Sequence, residues 1–218
     1  MNRHVKAQSV VGAVLLLATI IMTSILRKEL ITKNMSNPQE QSHGSLFRVL
    51  DAPGRSNELT DGEDVYGWLV GGWEATVYDY SADGAARESI GEWHFGWVLE
   101  GRAIQDVFIA PHRSQRSGQT LSKLNNRYGT TLRIYDREIA AWRVTWFNPV
   151  TGARNDLVGR RQGADIVQEG INPDGSKIRW VFTDITPTSF RWLGESLEPD
   201  GKTWRLQAEF RARRMKNK

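Results

Sequence analysis

The sequence predicts an all-β protein: an antiparallel up-and-down barrel of roughly ten strands, preceded by one hydrophobic N-terminal helix. From residue 68 onward, apolar and polar residues alternate with the period of two that is typical of strands. Short sequences rich in Gly, Pro, Asp and Asn separate these segments, and tryptophans recur two residues apart within them. Short connections favour a closed barrel, which leaves no exposed edge, over a β-sandwich with longer crossover links.

Composition divides the 218 residues into four parts. They are a hydrophobic segment resembling a signal anchor (1–34), a polar linker (35–62), the barrel (63–214) and a basic tail (215–218). Within the barrel, alternation and turn signals predict strands near 69–80, 87–99, 102–110, 128–136, 139–147, 154–161, 164–170, 176–184, 188–198 and 202–213.

Residues 10–26 contain no charged side chain and would span about 26 Å as a helix. The run ends in Leu26–Glu29, and no small-x-small cleavage site follows it, which favours an uncleaved anchor over a cleaved signal peptide. Alternatively, Met35 opens a polar stretch typical of a native start, and 1–34 is then a spurious upstream extension. We expect the protein to be anchored in a membrane by this single helix, or to be cytoplasmic if translation starts at Met35.

The net charge of +4 belongs to the two ends of the chain. The first 34 residues hold five basic residues against one acidic, and Arg211–Lys218 holds five basic residues and no acidic one. The folded part therefore has no basic excess, and we expect no nucleic-acid partner. The chain has no cysteine, which excludes disulfides, thiolate catalysis, zinc–thiolate sites and iron–sulfur clusters.

Large apolar side chains share one face of each of several predicted strands, and alternation directs them to the barrel interior. These sets are Trp93, Phe95, Trp97 and Leu99; Trp142, Val144 and Trp146; Ile178, Trp180 and Phe182; Phe190 and Trp192; and Trp204, Leu206, Ala208 and Phe210. Nine tryptophans are more than core filling usually needs, which predicts an aromatic-lined cavity of roughly several hundred Å³. The alternative is that the rings pack against one another and leave no cavity. The expected ligand contacts are Trp97, Trp146, Trp180, Phe182 and Trp192.

Charged residues occupy the other face of the same strands and are expected on the solvated outer surface, where ion pairs contribute little individually. They are Arg133, Arg143, Arg179, Arg191, Glu195, Arg205 and Glu209. Because a β-bulge shifts the alternation by one residue, Arg191 and Glu195 are additional candidate ligand contacts.

Candidate catalytic residues are few. Glu92 and His94 lie two apart on one strand face and are weak candidates for an acid–base pair, against the default of a locally hydrogen-bonded histidine. A structural zinc site needs four ligands, and the sequence offers no obvious ligands besides this pair, so no metal is expected. No cofactor is expected either. Asp106 is a candidate partner for an inward arginine. The long basic stretch Pro111–Arg127 is either a solvated loop or a lid that attracts anions.

Several motifs resemble known families. Gly71-Gly72-Trp73 resembles the Gly-x-Trp signature of the calycin superfamily, the lipocalins and their relatives. The runs Arg179–Pro187, Ser189–Trp192 and Asp200–Trp204 look like those of a bacterial family of calycin-like barrels of unassigned function. The resemblance covers residues 64–214 and implies a barrel with an internal cavity.

The resemblance also implies a structural role for Trp73, which an arginine near the last strand would cover, with Arg211 and Arg213 as candidates. Related barrels called nitrobindins bind haem through a histidine in the C-terminal part of the barrel. This chain has no histidine after His112, so haem binding by that route is not expected.

We therefore expect binding of a small hydrophobic or aromatic molecule in an aromatic-lined barrel cavity. The alternative is a barrel enzyme, of cyclase, isomerase or hydratase type, which needs a buried carboxylate or histidine with a perturbed pKa. A third hypothesis is a structural module with a solidly packed interior. The ligand's identity and the oligomeric state do not follow from the sequence.

Overall fold

The computed structural model describes residues 38–116, 126–172 and 174–216, together with Met22 and Arg27. Within these residues the chain forms one α-helix of several turns, α1, and ten strands. The bounds are α1 Pro38–Leu50, β1 Gly71–Tyr80, β2 Ala86–Val98, β3 Ala103–Ala110, β4 Arg127–Asp136, β5 Ala141–Asn148, β6 Ala153–Gln162, β7 Asp165–Ile171, β8 Lys177–Thr183, β9 Ser189–Leu197 and β10 Trp204–Arg214.

The ten strands form one closed antiparallel barrel in which each strand pairs with the next along the chain. The last strand returns to the first, with pairs running from Trp73 and Arg214 to Asp79 and Ala208. The predicted fold class, an all-β up-and-down barrel, is confirmed. Alternation was a sufficient guide because each strand buries one face inside the barrel and exposes the other.

The predicted location at a membrane is contradicted. Among the described residues, no helix combines the length and the apolar composition that crossing a bilayer requires. Helix α1 has 13 residues, about 20 Å of helix against a hydrocarbon core of about 30 Å. The charge-free run 10–26 lies outside the described residues, Met22 excepted.

The stretch expected to be a linker, 35–62, contains α1 and part of the barrel's own packing. The backbone N–H of Ala52 donates to the carbonyl of Trp97, and Leu59 is buried in the core. Tyr66 and Leu69 follow and are fully buried. These apolar side chains, scattered through a polar sequence, close one end of the barrel, which we call the closed end.

A short 3₁₀ turn, Gly67–Leu69, lies at the closed end just before β1. The indole N–H of Trp73 donates to the carbonyl of Leu69 at 2.7 Å, and its ring packs edge-on against Phe190 at 4.8 Å. The arginine that covers Trp73 is Arg214, neither of the two candidates from the sequence. The opposite end, where β1 ends and β10 begins, is the open end.

Because of a β-bulge in β10, only some of the apolar residues predicted to face inward from that strand do so. Pairing with β9 skips one residue between Leu206 and Ala208. Ala208 and Phe210 are buried, whereas Trp204 stacks under the guanidinium of Arg179 at 4.4 Å. Because the bulge reverses the alternation, Trp204 and Leu206 lie on the outer face with Arg179.

Candidate ligand-binding cavity in the barrel

The barrel interior contains a cavity of about 50 Å³ toward the open end. Its lining is mostly aromatic, with two arginines and one threonine: Trp93, Phe108, Arg127, Thr131, Arg133, Trp146, Trp180, Trp192 and Phe210. The volume is far below the several hundred Å³ that the tryptophan content predicts, so that expectation was wrong.

The cavity is small because the aromatic side chains pack against one another in the middle of the barrel. Phe210 stacks between Trp192, at 4.3 Å, and Phe108, at 4.7 Å between ring centroids. Trp93 contacts Phe108 at 5.0 Å and stacks on Phe182 at 5.8 Å. Most of the indole rings thus fill the core, and only a part of them borders empty space.

One side of the cavity meets solvent at the open end. Trp146 and Trp180 are only partly buried, although both belong to the cavity lining. The side chain of Arg127 is 39% exposed and also lines the cavity, so it stands at the boundary with water. Its guanidinium pairs with the carboxylate of Asp79 and lies over the ring of Phe210 at 5.5 Å. We call this opening, formed by Trp146, Trp180 and Arg127, the mouth.

A buried ion pair adjoins the cavity. Arg133 donates through Nη1 to Oδ2 of Asp106, and their side chains are 2% and 0% exposed. The other carboxylate oxygen of Asp106 accepts from the backbone N–H of Thr131 at 3.2 Å. The Arg133 guanidinium also lies between the rings of Tyr66 and Phe95, at 5.3 and 5.4 Å. Arg133 was expected on the outer surface; it points inward, and Asp106 is the partner of this inward arginine.

Several buried polar atoms of the interior have no hydrogen-bond partner within the described residues. They are the Tyr66 hydroxyl, Trp93 Nε1, Arg133 Nε, and both amide atoms of Gln168. Two of these residues, Trp93 and Arg133, line the cavity. An unsatisfied buried donor is costly, so the cavity lining favours an occupant that accepts hydrogen bonds.

The predicted acid–base pair lies outside the barrel wall. Glu92 is buried there under the segment that follows β3, and accepts hydrogen bonds from Arg113 Nε and Nη2 at 2.7 and 2.8 Å. The nitrogen Nε2 of His94 lies 2.8 Å from Glu92 Oε2. Burial would raise the pKa of Glu92, but the hydrogen bonds from Arg113 and His94 outweigh it and lower that pKa to about 2. A carboxyl group that is ionised at neutral pH and fully bonded is a poor proton donor, and here it fastens the segment to β2.

The segment Pro111–Arg127, expected to be a basic loop or lid, is described at its two ends only. At its start Arg113 is bound to Glu92, and Arg116 donates to Pro111 O and to Asn126 Oδ1 at 2.9 and 2.5 Å. Two of its basic side chains therefore hold the segment in place. Residues 117–125 lie outside the described residues.

The structure brings three predicted ligand contacts, Trp146, Trp180 and Trp192, to one cavity. Trp97 and Phe182 are buried in the core and do not line it. Arg191 and Glu195 lie on the outer face, where Arg191 pairs with Glu209 at 3.0 Å and Glu195 with Arg179 at 2.7 Å. Ligand contact by any of these residues remains a prediction.

Known proteins resemble this chain in structure. No protein-family model matches the chain, and no curated protein matches it. Its structure is similar to that of the S-type phycobiliprotein lyase CPES from Guillardia theta, with a TM-score of 0.45 and 11% identity over 69% of this chain and 90% of the lyase. It is also similar to a redesigned β-barrel, with a TM-score of 0.33 and 14% identity over 76% of this chain and all (100%) of that one.

Proposed function

We propose that this protein binds a small hydrophobic or aromatic molecule at the open end of the barrel. The supporting observation is the cavity itself, which has aromatic walls, reaches solvent at the mouth and contains buried hydrogen-bonding groups with no partner among the described residues. A concave, mostly apolar site with a few convergent polar groups is the usual form of a small-molecule site.

The small volume determines how such a ligand would lie. A cavity of about 50 Å³ holds little more than one or two water molecules, so it takes only one end of an organic molecule. The rest of the ligand would extend into the mouth between Trp146 and Trp180. Flat rings stack favourably on indoles, which supports an aromatic or planar ligand body.

The closed end supports placing the chain among the calycin-like barrels. Trp73 occupies the tryptophan position of the Gly-x-Trp motif, and Arg214 covers it with Cζ 4.1 Å from the ring centroid. The turn Gly67–Leu69 closes the same end, so ligand access is proposed at the opposite end, where Arg127 of the cavity lining is partly exposed.

A titration with indole, naphthalene and flavone, followed by isothermal calorimetry, tests the proposal. We expect saturable one-to-one binding of at least one compound. Trp180→Phe and Trp146→Phe narrow the stacking surface and should each weaken that binding several-fold. Trp204→Phe is the matched control, because Trp204 stacks on Arg179 on the outer face, and it should leave the affinity unchanged. Absence of saturable binding throughout the panel, or equal losses in all three variants, would count against a ligand site at the mouth.

A further inference from the structure

We infer that the ligand carries an uncharged carbonyl oxygen, which enters the cavity and accepts hydrogen bonds from Arg133 Nε and Trp93 Nε1. This inference rests on the proposed function and specifies the ligand's chemical class. The class is an aromatic ketone or amide with its carbonyl at one end of the molecule.

The two donors are the first argument. Trp93 is 4% exposed and Arg133 is 1% exposed, and Trp93 Nε1 and Arg133 Nε have no acceptor within the described residues. Both side chains line the same cavity. Each N–H only donates, so an occupant must supply the acceptor. A carbonyl oxygen has two lone pairs, and in so small a space it lies close to both side chains.

The charges of the lining are the second argument, and they favour a neutral acceptor over a carboxylate. Arg133, which carries one of the two donors, is already paired with Asp106, whereas Arg127 at the mouth shares the carboxylate of Asp79 with Arg87. The arginine that carries one of the donors therefore offers no uncompensated positive charge. A ligand carboxylate placed at these two donors would lose its hydration and lie near the Asp106 carboxylate, and the charge of Arg133 is already compensated there.

The dimensions are the third argument. A cavity of about 50 Å³ accommodates a carbonyl group and an attached methyl or amide nitrogen, but it excludes a six-membered ring. The ring must then remain at the mouth, against the partly buried indoles of Trp146 and Trp180. A carbonyl conjugated to an aromatic ring satisfies both requirements because it is flat along its whole length.

Three ligands of nearly equal shape test the inference on the full-length protein: acetophenone, ethylbenzene and benzoate. Dissociation constants come from titrations followed by the indole N–H resonances of ¹⁵N-labelled protein, with the Trp93 signal assigned by its loss in Trp93→Phe. We expect acetophenone to bind roughly tenfold more tightly than ethylbenzene, because only the ketone accepts from the orphaned donors. Benzoate should bind no more tightly than ethylbenzene. The Trp93 indole proton should move downfield with acetophenone alone.

The variant Trp93→Phe keeps a ring in the aromatic cluster and removes its N–H group. It should weaken acetophenone binding several-fold and leave ethylbenzene binding unchanged, whereas Trp204→Phe should alter neither. If ethylbenzene binds as tightly as acetophenone, or benzoate binds most tightly, the inferred carbonyl class is overturned while the ligand site stands. If none of the three ligands binds while indole, naphthalene or flavone does, only this inference fails; if none of the six compounds binds, the proposed function fails with it. The comparison of ligands on the unmodified protein decides the matter even if Trp93→Phe does not fold.

Discussion

The guanidinium of Arg214 lies over the indole of Trp73, with Cζ 4.1 Å from the ring centroid. The same guanidinium donates to the carbonyls of Trp68, Val70 and Pro187, at 2.7, 2.9 and 2.9 Å. Arg214 therefore joins the last strand to the turn before β1 and to the loop between β8 and β9. One side chain at the end of the chain completes the closed end of the barrel.

Replacing Arg214 should destabilise the barrel measurably. Arg214→Ala removes three hydrogen bonds to carbonyls and a cation–π contact, and should lower the free energy of unfolding by about 2 kcal/mol. Arg213→Ala is the control, because Arg213 is exposed on the outer face, and should change it by less than about 0.5 kcal/mol. Urea denaturation followed by tryptophan fluorescence measures both. Equal effects would show that Arg214 contributes no more than an ordinary surface arginine.

Removing one partner of the buried pair Arg133–Asp106 should destabilise the protein strongly, whereas replacing both partners should destabilise it little. Arg133→Met leaves the Asp106 carboxylate buried without a cation and should cost about 3–5 kcal/mol. The double variant Arg133→Met/Asp106→Leu removes both charges and should recover most of that loss. Arg143→Met breaks the partly exposed pair with Asp136 and should cost less than about 1 kcal/mol. Guanidinium denaturation of the four proteins gives the comparison, and a double variant no more stable than Arg133→Met would argue against an uncompensated charge as the cause.

The strands could be predicted from sequence because turn residues and alternation agree along the whole barrel, but the alternation assigned one key residue to the wrong side. In β4 the apolar Leu132 and Ile134 flank Arg133, which suggests that the arginine faces solvent. Cross-strand pairing instead matches Arg133 with Ile104 and Val144, which are both buried. Ile134 is 44% exposed on the outer wall. A charged residue flanked by apolar ones is placed correctly only when its cross-strand neighbours are known.

The candidate site was predictable in part. Strand periodicity identified Trp146, Trp180 and Trp192, but the bulge before Ala208 moved Trp204 outward, and no local signal in β10 marks it. The cavity volume could not be predicted from the sequence, because it depends on how rings from different strands pack against one another. The unpaired donors of Trp93 and Arg133 could not be predicted either, because whether an N–H group finds an acceptor depends on its surroundings and not on the residue type.

The pH dependence of stability should reveal the buried Glu92. Its pKa is lowered from 4.5 to about 2 in the folded state. The unfolded chain therefore binds the proton more readily, and the stabilisation is complete above pH 4.5 and is lost as the pH falls toward 2. Compared with Glu92→Gln, the wild type should be more stable by about 2 kcal/mol at pH 7, with the difference shrinking across that window.

Thermal or urea unfolding at intervals between pH 2 and 7 measures this difference. Arg113→Met is the informative companion, because Arg113 supplies two of the side-chain hydrogen bonds to Glu92. In the Arg113→Met background, the loss of stability caused by Glu92→Gln should be smaller than in the wild type. As the pH falls, this loss should disappear at a higher pH than in the wild type. A constant difference from pH 7 to pH 2 would mean that Glu92 stabilises the fold by packing and not through its charge.

The wall of the barrel should not tolerate a side chain at Gly159. A Cβ at this position would lie 2.2 Å from the hydroxyl of Tyr66. Tyr66 is fully buried and its ring packs edge-on against Trp142 and Phe182, so the hydroxyl cannot withdraw easily. Gly159→Ala should therefore destabilise the protein by about 2–3 kcal/mol in urea denaturation.

Two further variants show whether the Tyr66 hydroxyl is the cause. Gly96 also lies within a strand, but a Cβ there meets nothing within 4 Å, so Gly96→Ala should be neutral or slightly stabilising. Tyr66→Phe deletes a buried hydroxyl that has no hydrogen-bond partner in the described part of the chain, and it should cost little stability by itself. Combined with Gly159→Ala it removes the clashing atom, so the double variant should be more stable than Gly159→Ala alone. If the two changes are simply additive, the intolerance at Gly159 has its origin in the strand backbone, not in the contact with Tyr66.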